Sequence, residues 1–394
     1  MQIKFIPAVI AFIAFYGCSS SSNKTMIDTT ETRDLSRYAK NEVPQENIYV
    51  STHDYPIVNV EQPAGKKVKN VIFMIADGMG LAHTYSAWTV NKGKLNLDNF
   101  KYTALAKTYC ANKLITDSGA AGTALATGNK TNYHSVGVDT LGNDLNSIAD
   151  YAKENGLKTG VVVTCRLTDA TPAAFCGNTV ERDSVYELAA DYLDSNVDYI
   201  LGGGSNHFLK RPDKRNIVDE LVSKGYYYAS SKSEVLSNNS LPMIALLDTL
   251  DFPKALDRGE VMREYTMNAI ERLNNEKGFF LMIEGSRIDD FGHFNEIGNL
   301  VEEIFDFDKC LGDVLKWAEK DGETLVVVTS DHETGGLSLV GGDLKKGEVQ
   351  VWFTTTGHSG VMTPVYAYGP GADNFTGMIE NTDVCKRIVS LINK

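Results

Sequence analysis

Four stretches of this chain are near-continuous runs of apolar residues, and each ends on an acid or a histidine. Residues 68–75 (VKNVIFMI) run into Ala76-Asp77-Gly78-Met79-Gly80, and residues 160–164 (GVVVT) lead through Cys165 to Asp169-Ala170-Thr171-Pro172. Residues 278–283 (GFFLMI) run into Glu284-Gly285-Ser286-Arg287-Ile288-Asp289, with His293 following. Residues 324–329 (TLVVVT) run into Ser330-Asp331-His332-Glu333-Thr334. Strands this apolar are covered on both faces, so they predict a parallel or mostly parallel sheet within an α/β fold. Ligands of such sheets bind beyond the carboxyl ends of the strands. Asp77, Thr171, Glu284, Asp289, Asp331 and His332 are therefore expected on one rim. Asp289 and His293 are four apart and share a face if a helical turn forms there. His358, in Thr354-Thr355-Thr356-Gly357-His358-Ser359-Gly360, precedes a strand-like run at 363–368 and is a further candidate.

The segment at 115–128 (ITDSGAAGTALATG) sets Ser118 after an aspartate and before almost nothing but tiny residues. Small side chains let backbone approach a ligand, and a helix over 120–126 would open at Ser118. Free N–H groups and the positive dipole end at such a start suit a serine that becomes a phosphate ester. Taken singly, each signal has an ordinary explanation. Asp-Ser before a small-residue run is commonly an N-cap, and Asp-Gly after a strand is commonly a turn. Acids at four strand ends combined with a small-residue serine loop point instead to chemistry. Two histidines with a carboxylate suit zinc, whereas an all-oxygen set of Asp, Glu and Thr suits magnesium. His53, His83, His134 and His207 have no comparable context.

With these strings in order, joined by Leu201-Gly202-Gly203-Gly204, Glu276-Lys277-Gly278-Phe279-Phe280-Leu281 and Thr356-Gly357-His358-Ser359, the chain resembles the alkaline phosphatase family from about residue 68 to 370. The resemblance implies a three-layer sandwich, with a large, mostly parallel central sheet flanked by helices. It also implies a role for each matching residue. Ser118 would be the nucleophile. Asp289, His293 and His358 would hold one Zn2+, Asp77, Asp331 and His332 a second, and Asp77, Thr171 and Glu284 one Mg2+. Arg182, in Thr179-Val180-Glu181-Arg182, falls where the family grips phosphate; read alone, it would be an exposed helix arginine paired with an acid. A guanidinium fork does match two phosphate oxygens. The implied reaction is hydrolysis of phosphate monoesters through a phosphoserine, with broad specificity and inorganic phosphate as product.

Two positions depart from many relatives. Asp290 stands where lysine, histidine or tryptophan is frequent, and Asn178 where histidine is common; Asp290 would add negative charge near bound phosphate. A phosphodiesterase or a sulfatase of the same superfamily is the nearest rival. Ser118 lies outside a Cys/Ser-x-Pro-x-Arg context, which disfavours the sulfatase. A non-catalytic phosphate- or zinc-binding lipoprotein would have a lost nucleophile or a broken ligand set, yet every position is filled.

Residues 1–17 combine a short basic start with an apolar run too short to span a bilayer, and read as a signal peptide of lipoprotein type. Cys18 would then be acylated. It would tether an exported bacterial protein, periplasmic or anchored at the outer membrane. Residues 18–66 read as linker and N-terminal arm, and 67–394 as the catalytic domain, with room for a homodimer. The net charge of −13 argues against nucleic-acid partners. Beyond Cys18 there are Cys110, Cys165, Cys176, Cys310 and Cys385. Export permits a disulfide, and Cys165–Cys176 is conceivable.

Overall fold

All four apolar runs are strands, and they lie side by side in a computed structural model that describes residues 42–63, 67–195 and 197–393. Their order is Thr324–Thr329, Asn70–Ala76, Phe279–Gly285 and Lys158–Arg166, parallel throughout. They form the middle of a ten-stranded sheet. Beyond Lys158–Arg166 come Tyr199–Gly203, Met243–Leu246 and Tyr227–Ala229, all parallel. Beyond Thr324–Thr329 come Thr363–Tyr368, Tyr102–Lys107 and Gly377–Glu380. Among the described strands of this sheet, Thr363–Tyr368 alone runs antiparallel to its neighbours.

The apolar runs are continuous because both faces are covered. Along Asn70–Ala76, Val71, Phe73 and Ile75 enter one hydrophobic cluster, and Ile72, Met74 and Ala76 enter the other. The first face packs under Ile148–Glu154, Ser118–Thr127 and Asn381–Ile392; the second under Val261–Leu273 and the 25-residue helix Ile297–Asp321. Each fully buried aromatic or aliphatic side chain there stabilises the fold by roughly 1.5–3 kcal/mol. The result is a three-layer α/β sandwich.

Register carries the function. Ile75 lies beside both Glu284 and Thr329, and Val163 beside Glu284, so the central strands end level with one another. Residues just past those ends must share one rim. Above it lies Ser118–Thr127, all ten of whose residues are buried. Its small side chains are a packing requirement. A Cβ on Gly122 would stand 3.2 Å from the Thr171 Cα, and one on Gly119 would stand 3.2 Å from the Ser135 carbonyl oxygen.

From Val43 onward the described chain is one compact unit. Ile48–Val50 pairs with Glu348–Phe353, which pairs with Leu337–Asp343. Tyr55 donates to Asp308 at 2.7 Å, and Val58 N–H to Asn96 at 2.8 Å. The apolar start and Cys18 lie outside the described residues. No helix among the described residues is long and apolar enough to cross a membrane. The conceivable Cys165–Cys176 bridge is not formed. All five cysteines among the described residues are free and buried, and the Cys165 thiol turns instead to Glu284 Oε2 at 3.5 Å.

Candidate active site

Ser118 is the first residue of its helix, and Asp117 is the N-cap. The Asp117 carboxylate accepts the Gly119 N–H at 3.2 Å and the Ala120 N–H at 3.3 Å. Ser118 is buried, and its Oγ lies 3.1 Å from His332 Nε2.

Around that hydroxyl the acids and histidines form two groups, Asp77 with Asp331 and His332, and Asp289 with His293 and His358. In the first, hydrogen bonds settle the His332 tautomer. Thr334 donates its single hydroxyl proton to Asp289, so it accepts from His332 Nδ1 at 3.2 Å. Nε2 therefore presents a lone pair, yet Asp331 Oδ2 and Asp77 Oδ1 lie 3.2 and 3.5 Å from it. Both oxygens are buried without a hydrogen-bond partner among the described residues. In the second group His293 Nδ1 meets the Thr356 carbonyl at 2.6 Å, and His358 Nδ1 meets the Thr116 carbonyl at 2.8 Å. Carbonyls only accept, so both Nδ1 atoms carry hydrogen. The two Nε2 atoms nevertheless face each other at 3.2 Å, with Asp289 oxygens 3.2 Å from His293 and 3.7 Å from His358. Nitrogens and carboxylate oxygens converging in this way fit a divalent cation with mixed N/O ligands, zinc in particular, which would displace the proton that Asp289 otherwise draws onto His293 Nε2.

A third set contains oxygen only. Thr171 Oγ1 and Glu284 Oε1 are also buried without partners, and Asp77 is near enough to Glu284 to feel its charge. Hard oxygen donors of this kind suit magnesium.

Burial and neighbouring charge divide these groups into two kinds. Burial, then the negative charge of Asp331, Asp289 and Glu284, pushes Asp77 well above the carboxylate range. Burial chiefly raises Asp331 to about 6 and Glu284 to about 8, and it drives His332 well below the ordinary imidazole value, with His358 adding to the effect. Asp289 goes the other way: burial would raise it, but His293, His332 and His358 outweigh that and hold it well below. The hydrogen bond to Asp289 is the main reason His293 rises to about 9.

Arg182 lines a cleft of roughly 300 Å³ together with Asp117, Tyr133, His134, His293 and His358. Its Nη1 donates to Asp117 and its Nη2 to Asp169, each at 3.1 Å. Asp169 is also paired with Arg166 at 3.0 Å. Burial would raise the Asp117 carboxyl, but the His134 N–H, Arg182 and the Ala120 N–H hold it below its ordinary value.

The structure thus brings the rim candidates, Ser118 and Arg182 to one end of the sheet. Sequence reasoning missed Asp117 and Asp169 as the holders of Arg182, and Thr334 as the link between the two histidine groups. All three lie inside the quoted motifs, which is the one signal that could have found them. His83, unassigned from sequence, is fully buried under the Asp77 turn: its Nδ1 accepts the Gly80 N–H at 3.2 Å and lies 3.7 Å from Glu333. Of the two departures, Asn178 binds the Gly137 carbonyl, and Asp290 pairs with Arg287 at 2.8 Å.

A sequence model of the alkaline phosphatase family matches residues 68–350. Alkaline phosphatase 3 of Bacillus subtilis is 31% identical, over 82% of this chain and 88% of its own. The alkaline phosphatase of Escherichia coli is 29% identical, over 81% of this chain and 85% of its own. Among solved structures, the alkaline phosphatase from the Antarctic bacterium TAB5 is similar at a TM-score of 0.80 and 37% identity, covering 83% of this chain and 99% of that one. A histidine-to-aspartate mutant of that enzyme, with magnesium bound in its M3 site, is similar at a TM-score of 0.78.

Proposed function

The chain belongs to the alkaline phosphatase family and is a phosphomonoesterase, and from that premise we propose that it works through a phosphoserine at Ser118. Asp289, His293 and His358 would hold one zinc, Asp77, Asp331 and His332 the other, and Asp77, Thr171 and Glu284 a magnesium. When bound, these cations supply Lewis-acid charge that favours a serine alkoxide and stabilises a departing oxygen.

The chain's own groups do the rest. Ser118 gives up its hydroxyl proton to solvent, and its Oγ bonds to phosphorus as the bond from phosphorus to the alcohol oxygen breaks. The electron pair leaves with that oxygen, which takes up a proton from solvent to depart as the alcohol. Water then cleaves the phosphoserine, releasing inorganic phosphate and restoring the hydroxyl. Asp117 and Asp169 occupy one N–H on each end of the Arg182 fork, which orients the remaining N–H groups for phosphoryl oxygens. Nothing in this scheme depends on the alcohol, so broad monoester specificity follows.

The observation that carries the reading is the 3.1 Å approach of Ser118 Oγ to His332 Nε2, the atom that also faces two partnerless carboxylate oxygens. The test is hydrolysis of p-nitrophenyl phosphate before chelation, after it, and after zinc and magnesium are restored. Acid quenching with labelled substrate should trap phosphate on the parent and none on Ser118→Ala. Label retained at another residue would overturn the nucleophile. The same reading takes residues 1–17 as an export signal and Cys18 as a lipid anchor to the bacterial envelope, tested by palmitate labelling of parent and Cys18→Ala. A homodimer is its expected assembly, measured by sedimentation.

A further inference from the structure

His134 lies outside every assignment made above, yet its main chain touches both ends of the catalytic apparatus. It occupies the third position of a turn closed by the Ser135 N–H on the Asn132 carbonyl at 3.0 Å, and its φ is +70°. Positive φ at that position favours glycine or asparagine, so a histidine there carries local strain. Such strain persists only where the surroundings over-determine the backbone, and here they do. The His134 N–H donates to Asp117 Oδ1 at 3.1 Å, and its carbonyl accepts the Arg182 N–H at 2.8 Å. The same Asp117 carboxylate caps the helix of Ser118 and takes Arg182 Nη1 at 3.1 Å. The next residue continues the contact: the Ser135 carbonyl lies 3.2 Å from where a Cβ on Gly119 would stand.

The geometry points to residue 134 as a positioning residue, whose left-handed main chain sets Arg182 against Ser118 and thereby the grip on the phosphoryl group. The imidazole is secondary. Its Nδ1 meets Glu181 at 3.1 Å, with both side chains more than a third exposed, and such surface pairs contribute little. The inference rests on the reading of Arg182 as the phosphoryl grip, so the experiment separates the two.

The holoenzyme, with zinc and magnesium fixed, is compared as parent, His134→Gly, His134→Asn, His134→Val, Arg182→Ala and the Arg182→Ala/His134→Val double variant. The readouts are kcat and KM for p-nitrophenyl phosphate and Ki for inorganic phosphate. Glycine and asparagine accept positive φ and should keep Ki within about twofold, whereas valine should raise KM and Ki by about tenfold, with a smaller fall in kcat. In the Arg182→Ala background valine should add nothing to Ki, because its effect runs through the guanidinium. Losses in His134→Gly and His134→Asn equal to those in His134→Val would make the imidazole the acting group and overturn the inference. An undiminished valine effect without Arg182 would overturn it equally. Should His134→Val not fold, His134→Ala takes its place in the same cycle. An unchanged phosphate Ki in Arg182→Ala alone would instead remove the underlying reading of Arg182.

Discussion

The two histidine-bearing groups use the same residue types and differ in how their charges balance. In the inner group Asp331 and His332 are wholly buried, the carboxyls are driven up and the imidazole down. Every member is pushed toward neutrality, because burial disfavours each charge. The outer group stands at the cleft, where the His293 side chain is 37% exposed. There Asp289 is lowered and His293 raised to about 9, so aspartate and imidazolium compensate each other. On the proposed ligand sets, ionising the inner carboxylates calls for a bound cation, whereas the outer aspartate already has a protonatable partner in His293.

The inner group should fail hardest. Asp331→Ala removes a carboxylate beside Ser118's own histidine, and with it several kcal/mol of Lewis-acid stabilisation, or roughly 10³-fold or more in kcat/KM. Zinc added in excess should not restore it, and elemental analysis should show about one zinc fewer per chain. Full zinc content in this variant would remove Asp331 from the ligand set.

His293→Ala opens the outer group toward solvent. The expected loss is smaller, on the order of 10²-fold, and millimolar zinc should recover part of it because the Nε2 of His358 and Asp289 still converge there. Equal, unrescued losses in His293→Ala and Asp331→Ala would erase the distinction between the groups.

The contrast also has a pH signature in chelated protein. Burial raises Asp331 to about 6 and Glu284 to about 8, so their ionisation becomes a cost as pH climbs from the ordinary carboxylate range through those values. His293 is raised by its partner, so its contribution is complete below about 6.5 and is lost as pH rises through about 9. Above about pH 6.5 both sets therefore lower stability as pH rises, whereas below it His332, held neutral by burial, adds stability as pH climbs toward the imidazole range. Thermal midpoints of the chelated enzyme should fall from about pH 6.5 to 9, and metal reloading should flatten the profile. Asp289→Asn should remove only the upper part of that fall; loss of the lower part as well would show that the groups titrate as one.

Much of this site could be read from the chain because strand ends announce it. Apolar runs stop at Asp77, Glu284 and Asp331, and a parallel sheet with level strand ends must gather such residues. Other parts were not readable, for a physical reason. The carbonyls of Thr116 and Thr356 fix the histidine tautomers, and the main chain of His134 holds Arg182, through contacts between loops far apart in sequence. Main-chain groups are the same at every position and leave no trace in residue identity. Cys165 failed as a disulfide half because its thiol faces Glu284 within the buried rim.

Asp290 should give the smallest effect. From sequence it adds negative charge near the phosphate, so Asp290→Lys ought to tighten phosphate inhibition. The structure instead pairs its carboxylate with Arg287 Nε at 2.8 Å, on the same short helix, with the side chain 42% exposed. Arg287 Nη1 is anchored in turn on the Phe252 carbonyl at 2.8 Å. The charge is thus already matched by a fixed cation, and what remains is screened over about 10 Å at 0.1 M salt. Lysine at 290 would lose that pair and set like charges three residues apart, which costs about 0.5–1 kcal/mol in stability. The Ki for phosphate should change by less than about twofold even at low ionic strength. His293, which Asp290 helps to hold protonated, should titrate slightly lower, so the outer group's pH window moves down while the inner group's stays put. A tenfold tightening of phosphate binding would mean that Asp290 leaves Arg287 to face the cleft, and the outer group would then carry one more negative charge than its balance allows.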